Sequence, residues 1–137
     1  DQFLTAFYVI LDPESGEITY SNAGHNPPFL QTLKAGVEPE GLIRTGMPLG
    51  VSEDEQWEER TLQLADDQVL VMYTDGLTEG LNTKLQVYGE ERLKRVLKGK
   101  RRINAKGISQ AILESFDDFV GAQPQSDDLA LIVIRRA

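Results

Sequence analysis

"VLVMYTD", residues 69–75, decides the fold. Its apolar part, Val69 to Tyr73, is strand-sized and almost uninterrupted, so it reads as a central strand. It closes on Asp75, followed by Gly76. "DDQ" (66–68) turns the chain into it from "WEERTLQL" (57–64), a strand of mixed alternation. Further upstream, "FLTAFYVILD" (3–12) is β-branched and aromatic, "PESGE" (13–17) is a turn, and "ITYSNAG" (18–24) alternates. Together they predict a β-hairpin. "PFLQTL" (28–33) reads as a third short strand. Residues 34–56 hold glycines and prolines with little periodicity and read as loop.

Downstream, "GEERLKRVLKG" (89–99) reads as a helix. Leu93, Val96 and Leu97 fall at i, i+3, i+4, with glutamates in the first turn and lysines in the last, as the macrodipole favours. "NAKGISQAILESFDDFV" (104–120) predicts a second helix, with Ile108, Ala111, Ile112, Ser115, Phe116 and Phe119 on one face. "DLALIVIRR" (128–136) is a closing strand. Strands, then two helices, then one strand is not the alternating order of a doubly wound sheet. The order predicts an α+β layered fold with an antiparallel sheet.

The 137 residues suit one domain. At 40% hydrophobic and 26% charged, the composition is that of a soluble globular chain. No apolar run approaches the ~20 residues that cross a bilayer, and the first residues lack the pattern of a signal peptide. The absence of cysteine excludes a disulfide framework and a thiolate nucleophile, and fits a reducing, cytoplasmic setting. A net charge of −8 argues against sequence-independent nucleic-acid binding. The one basic cluster, "LKGKRRINAK" (97–106), reads as a solvated connection between helices.

Candidate chemistry stands at strand ends. Asp75 closes one apolar strand, and Asp127 and Asp128 open another. A carboxylate at the lip of an apolar strand is costly to bury unless paired or bound to a cation. Mg²⁺ and Mn²⁺ take such oxygen ligands. The bland alternative is that Asp-Gly is a common turn dipeptide and that Asp-Asp caps a loop. Other chemistries fit worse. One histidine and no cysteine disfavour structural zinc. His25 is the only base open to a serine triad, and no nucleophile elbow accompanies it. Neither a P-loop nor a dinucleotide fingerprint is present.

The ordered series "FLTAFYVILDPESGEITYSNAGHNPPFL", "TGMPLGV", "LADDQVLVMYTDGLTEGLN", "YGEERL" and "QSDDLALIVI" resembles the stage II sporulation protein E family of serine phosphatases. That family lies within the metal-dependent protein phosphatases (PPM). The resemblance runs from residue 3 to 135. It implies a pair of antiparallel β-sheets flanked by helices, with a metal centre at one edge. It implies two Mg²⁺ or Mn²⁺ ions in the complete domain and hydrolysis of phosphoserine or phosphothreonine. By resemblance Asp75 and Asp127 are metal ligands, with Gly76 and Asp128 beside them. The implied partner is a phosphorylated anti-sigma-factor antagonist.

One departure accompanies the resemblance. The family's Asp-x-x-Gly and Gly-His-Gly segments, including the aspartate that bridges the two ions, precede the strand that starts here. Residues 1–137 are therefore expected to be one domain's C-terminal portion, truncated at the N-terminus. Alone, this stretch is expected to bind divalent metal weakly, to lack phosphatase activity, and to self-associate as a homodimer through an uncovered sheet face. A phosphatase-like module that binds protein without catalysis is the alternative. His25 is expected at the metal cleft as a catalytic donor or acid, or else as the fixing point of the Asn26-Pro27-Pro28 turn. "TGMPLGV" (45–51) is expected to form a loop of defined shape near the cleft.

Overall fold

In the computed structural model, residues 2–99 and 103–136 are described. Asp1 and the centre of the basic run at 97–106 lie outside them. Strands β1 (Ala6–Leu11) and β2 (Glu17–Ala23) form the expected hairpin, in register from Ala6 opposite Ala23 to Leu11 opposite Ile18. The turn is closed by Asp12, whose Oδ1 accepts from the backbone N–H groups of Glu14 and Ser15 at 2.9 and 3.2 Å. These two N–H groups hold the Asp12 carboxyl below its ordinary range.

Strands β3 (Phe29–Thr32), β4 (Glu40–Gly41), β5 (Arg60–Gln63) and β6 (Gln68–Tyr73) follow. Helices α1 (Asp75–Thr78), α2 (Gly89–Lys98) and α3 (Ala105–Val120) precede the last strand, β7 (Leu131–Arg135). The strands make two antiparallel sheets, β1-β2-β5 and β4-β3-β6-β7. The architecture is the expected α+β sandwich.

Alternation along β6 builds both cores. Val69, Val71 and Tyr73 face α2 and α3, packing with Leu93, Ile108 and Phe116. Leu70 and Met72 face the other sheet, packing with Ile18, Tyr20 and Leu30. A residue period of two therefore gives this strand a role in both interfaces. The order of layers is three-stranded sheet, four-stranded sheet, helices. On β1, Tyr8 and Ile10 point away from the inter-sheet core and are exposed. Among the described residues no helix is long and apolar enough to cross a membrane.

Four details differ from the sequence reading. Residues 34–56 contain a two-residue strand, β4, paired to β3. The strand read at 57–64 begins only at Arg60, because Trp57 packs against the loop at Gly46 and donates from Nε1 to the Met47 carbonyl at 2.7 Å. Asp75 does not end a strand; it opens α1 after Thr74. The closing strand starts at Leu131, leaving residues 128–130 as its lead-in.

Candidate metal centre

The β6–β7 register assembles the site. Tyr73 lies opposite Leu131, so the chain leaving β6 runs beside the chain entering β7. Thr74 fastens the two beyond the ladder. Its N–H donates to the Ala130 carbonyl at 3.1 Å, and its Oγ1 accepts from the Ala130 N–H at 2.9 Å. Asp75 follows Thr74 on one side, and Asp127 and Asp128 precede Ala130 on the other. All three line one open cleft of about 370 Å³, together with Thr5, His25 and Gly76.

Gly76 sets how closely the two segments approach. A Cβ there would lie 2.0 Å from the Asp128 carbonyl oxygen and 2.7 Å from its carbonyl carbon. Only glycine lets the start of α1 sit against the backbone of residues 128–129. Asp127 is oriented locally: its Oδ1 accepts from the Asp128 N–H at 2.8 Å, and its carbonyl accepts from Gln125 Nε2 at 2.7 Å.

All three carboxylates are exposed. The burial cost invoked from the sequence therefore does not act on them; strand register brings them together. The four ion pairs among the described residues involve none of the three, so no described cation pairs with them. Among the described residues no group of three or more His, Cys, Asp or Glu side chains is gathered tightly enough to hold a metal alone. The donor chemistry still fits Mg²⁺ or Mn²⁺. Such ions keep several waters and are commonly held by one or two carboxylates plus substrate phosphate.

His25 lies on the same edge, in the β2–β3 turn. Its Nε2 is 3.1 Å from the Tyr73 carbonyl, which can only accept, so Nε2 carries the proton. Nδ1 is within hydrogen-bond distance of Thr5 Oγ1, at 3.3 Å. The backbone N–H of His25 donates to Oδ1 of buried Asn22 at 2.8 Å, and Asn22 Nδ2 donates to the Leu42 carbonyl at 3.1 Å. The imidazole thus tethers the turn to the end of β6, with both ring nitrogens engaged.

Two residues that the sequence reading passed over complete the arrangement. Asn26, next to His25, donates from Nδ2 to Asp75 Oδ1. Tyr73 holds the same turn twice, its carbonyl accepting from His25 and its hydroxyl donating to the Pro27 carbonyl at 3.0 Å. Burial, then the negative charges of Glu90 and Asp75, push the Tyr73 phenol above its ordinary range, so it remains a donor. The one available signal for Asn26 was its place between the only histidine and a Pro-Pro pair.

The loop at 45–51 is welded to this turn. Gly24 has φ +67, and a Cβ on it would lie 2.5 Å from Pro48 Cγ, so turn and loop meet with no room for a side chain. Thr45 Oγ1 accepts from the Asn22 N–H at 2.8 Å.

This sandwich is the PP2C (PPM) phosphatase fold. It superposes on the SiaA PP2C domain of Pseudomonas aeruginosa with a TM-score of 0.79 at 18% identity, covering 96% of this chain and 51% of that one. On the phosphatase domain of the cell fate determinant SpoIIE from Bacillus subtilis, solved after an Mn presoak, the TM-score is 0.68 at 21% identity, covering 96% and 56%. The chain belongs to the stage II sporulation protein E (SpoIIE) family, whose sequence profile matches residues 1–137. It is 28% identical over 134 residues to the phosphoserine phosphatase RsbU of Bacillus subtilis, covering 98% of this chain. It spans 39% of the length of RsbU.

Proposed function

We propose that this chain forms part of a metal-dependent phosphatase that hydrolyses phosphoserine or phosphothreonine on a regulatory protein. One observation carries the proposal: the β6–β7 register brings Asp75 and Asp127 to one cleft, where no cation among the described residues pairs with them. Family membership and the phosphoserine phosphatase activity of RsbU support the same reading.

Asp75 and Asp127 would hold Mg²⁺ or Mn²⁺, with Asp128 and Gly76 shaping the cleft around them. Bound there, the ions would supply an activated water and polarise the phosphoryl oxygens. The chain's own part is to orient the carboxylates. Thr74 locks the two strand ends together, and Gly76 allows their close approach. His25 holds the β2–β3 turn against β6 at the mouth of the same cleft. The expected substrate is a phosphorylated anti-sigma-factor antagonist in the cytoplasm. The exposed face at Tyr8 and Ile10 is a candidate surface for a homodimer.

The test is Mn²⁺-dependent release of phosphate from a phosphoserine protein by the full-length protein and its Asp75→Ala and Asp127→Ala variants. Loss of turnover in both, with folding retained, is the expected result. Turnover independent of both aspartates would overturn the reading. A folded full-length protein that binds a phosphoprotein but releases no phosphate would favour the non-catalytic module.

A further inference from the structure

We infer that Asn26 is a positioning residue for Asp75, fixing one carboxylate oxygen so that the other is presented to a divalent cation. This rests on the metal reading above and goes beyond it, since neither motif nor spacing assigns Asn26 a role.

The inference stands on how rigidly Asn26 is held. The residue before it, His25, is anchored at its backbone by Asn22 and at its ring by the Tyr73 carbonyl. The residue after it, Pro27, is anchored by the Tyr73 hydroxyl. A following proline also confines the Asn26 backbone to extended conformations. Both Tyr73 anchors lie two residues before Asp75 in the chain. The turn that carries Asn26 is thus bolted to one residue, Tyr73, through its backbone carbonyl and its hydroxyl, and the amide spans the gap to Asp75 Oδ1.

The chemistry of the donor matters. A lysine or arginine at this position would orient the carboxylate but also cancel its charge and compete with the metal. A neutral amide N–H fixes Oδ1 and leaves the negative charge in place. This is how outer partners of metal ligands commonly act, and losing one typically weakens metal binding by about 10- to 100-fold.

The test is isothermal titration of the metal-free full-length protein with MnCl₂, together with its thermal midpoint. Wild type, Asn26→Ala, Asn26→Ser and Asp75→Ala are compared. Serine keeps a turn-forming hydroxyl too short to reach Asp75, and guards against a folding failure of the alanine variant. The expected result is loss of binding in Asp75→Ala and a Kd raised about 10- to 100-fold in both Asn26 variants, with the metal-free midpoint unchanged. Wild-type affinity in the Asn26 variants beside lost binding in Asp75→Ala would refute the positioning role and leave the metal centre standing. Wild-type affinity in Asp75→Ala would remove the metal reading itself, and the role of Asn26 with it. A lowered metal-free midpoint in both Asn26 variants, in proportion to any loss of affinity, would make the contact structural and overturn the inference.

Discussion

Replacing Gly76 by alanine tests the geometry of the cleft without touching a charge. The new Cβ would meet the Asp128 carbonyl oxygen at 2.0 Å, its carbonyl carbon at 2.7 Å and Leu129 Cα at 3.1 Å. All three are backbone atoms, so no side chain can rotate away. Residues 128–129 must retreat, or α1 must tilt. Overpacking of this kind costs about 1–3 kcal/mol, and rigid obstacles place this case near the upper end. Alanine regains up to about 1 kcal/mol of helix propensity, only partly realised in a helix of four residues. The net is a loss of about 2 kcal/mol. For a domain of this size that lowers Tm by about 8 °C, at about 4 °C per kcal/mol. Circular-dichroism melts of the metal-free protein measure it. The same melts with MnCl₂ report the cleft, because a ligand of the native state raises Tm in proportion to its affinity. The variant should lose most of that rise, since Asp127 and Asp128 move away from Asp75. A variant that melts within about 2 °C of wild type and keeps the full Mn²⁺-induced rise would refute the close approach drawn here.

Three further outcomes are expected. Asn22→Ala removes a buried amide that serves both the His25 N–H and the Leu42 carbonyl, so it should cost about 1–3 kcal/mol in a urea titration and weaken Mn²⁺ binding by freeing the turn. Asn104→Ala removes the side-chain cap that accepts from Gly107 N–H at 2.8 Å at the start of α3, and should lower stability by about 1 kcal/mol with Mn²⁺ affinity unchanged. Burial raises the pKa of both Tyr73 and Tyr88 in the folded state. The unfolded phenols ionise first, near pH 10, so this contribution is intact below that pH and is lost as pH rises above it. Urea midpoints measured from pH 8 to 11 should fall over the upper part of the range, and fall less in Tyr88→Phe.

The local elements and the carboxylates were legible in the linear order of residues. The 3.6-residue spacing of Leu93, Val96 and Leu97, and of Ile108, Ala111, Ile112, Ser115, Phe116 and Phe119, marked the inward faces of two helices; Leu93, Leu97, Ile108, Ile112 and Phe116 are buried, and the other four are half-buried. Alternation and the Pro-Glu-Ser-Gly turn marked the first hairpin, whose register is set by nearest neighbours in the chain. Asp75 and Asp127 stood out because an acid beside an apolar strand is conspicuous in one dimension. Which strands pair, and in which sheet, emerged only from the three-dimensional packing. Period-two hydrophobicity shows that a strand has an inner face but carries no address for its partner. β7 joins β6 across more than fifty intervening residues, because its side chains complete the cores that β6 opens on both faces. The same limit hid Asn26. Its meeting with Asp75, 49 positions away, exists only because Tyr73 pins the β2–β3 turn to the end of β6. No pattern local to either residue encodes that contact.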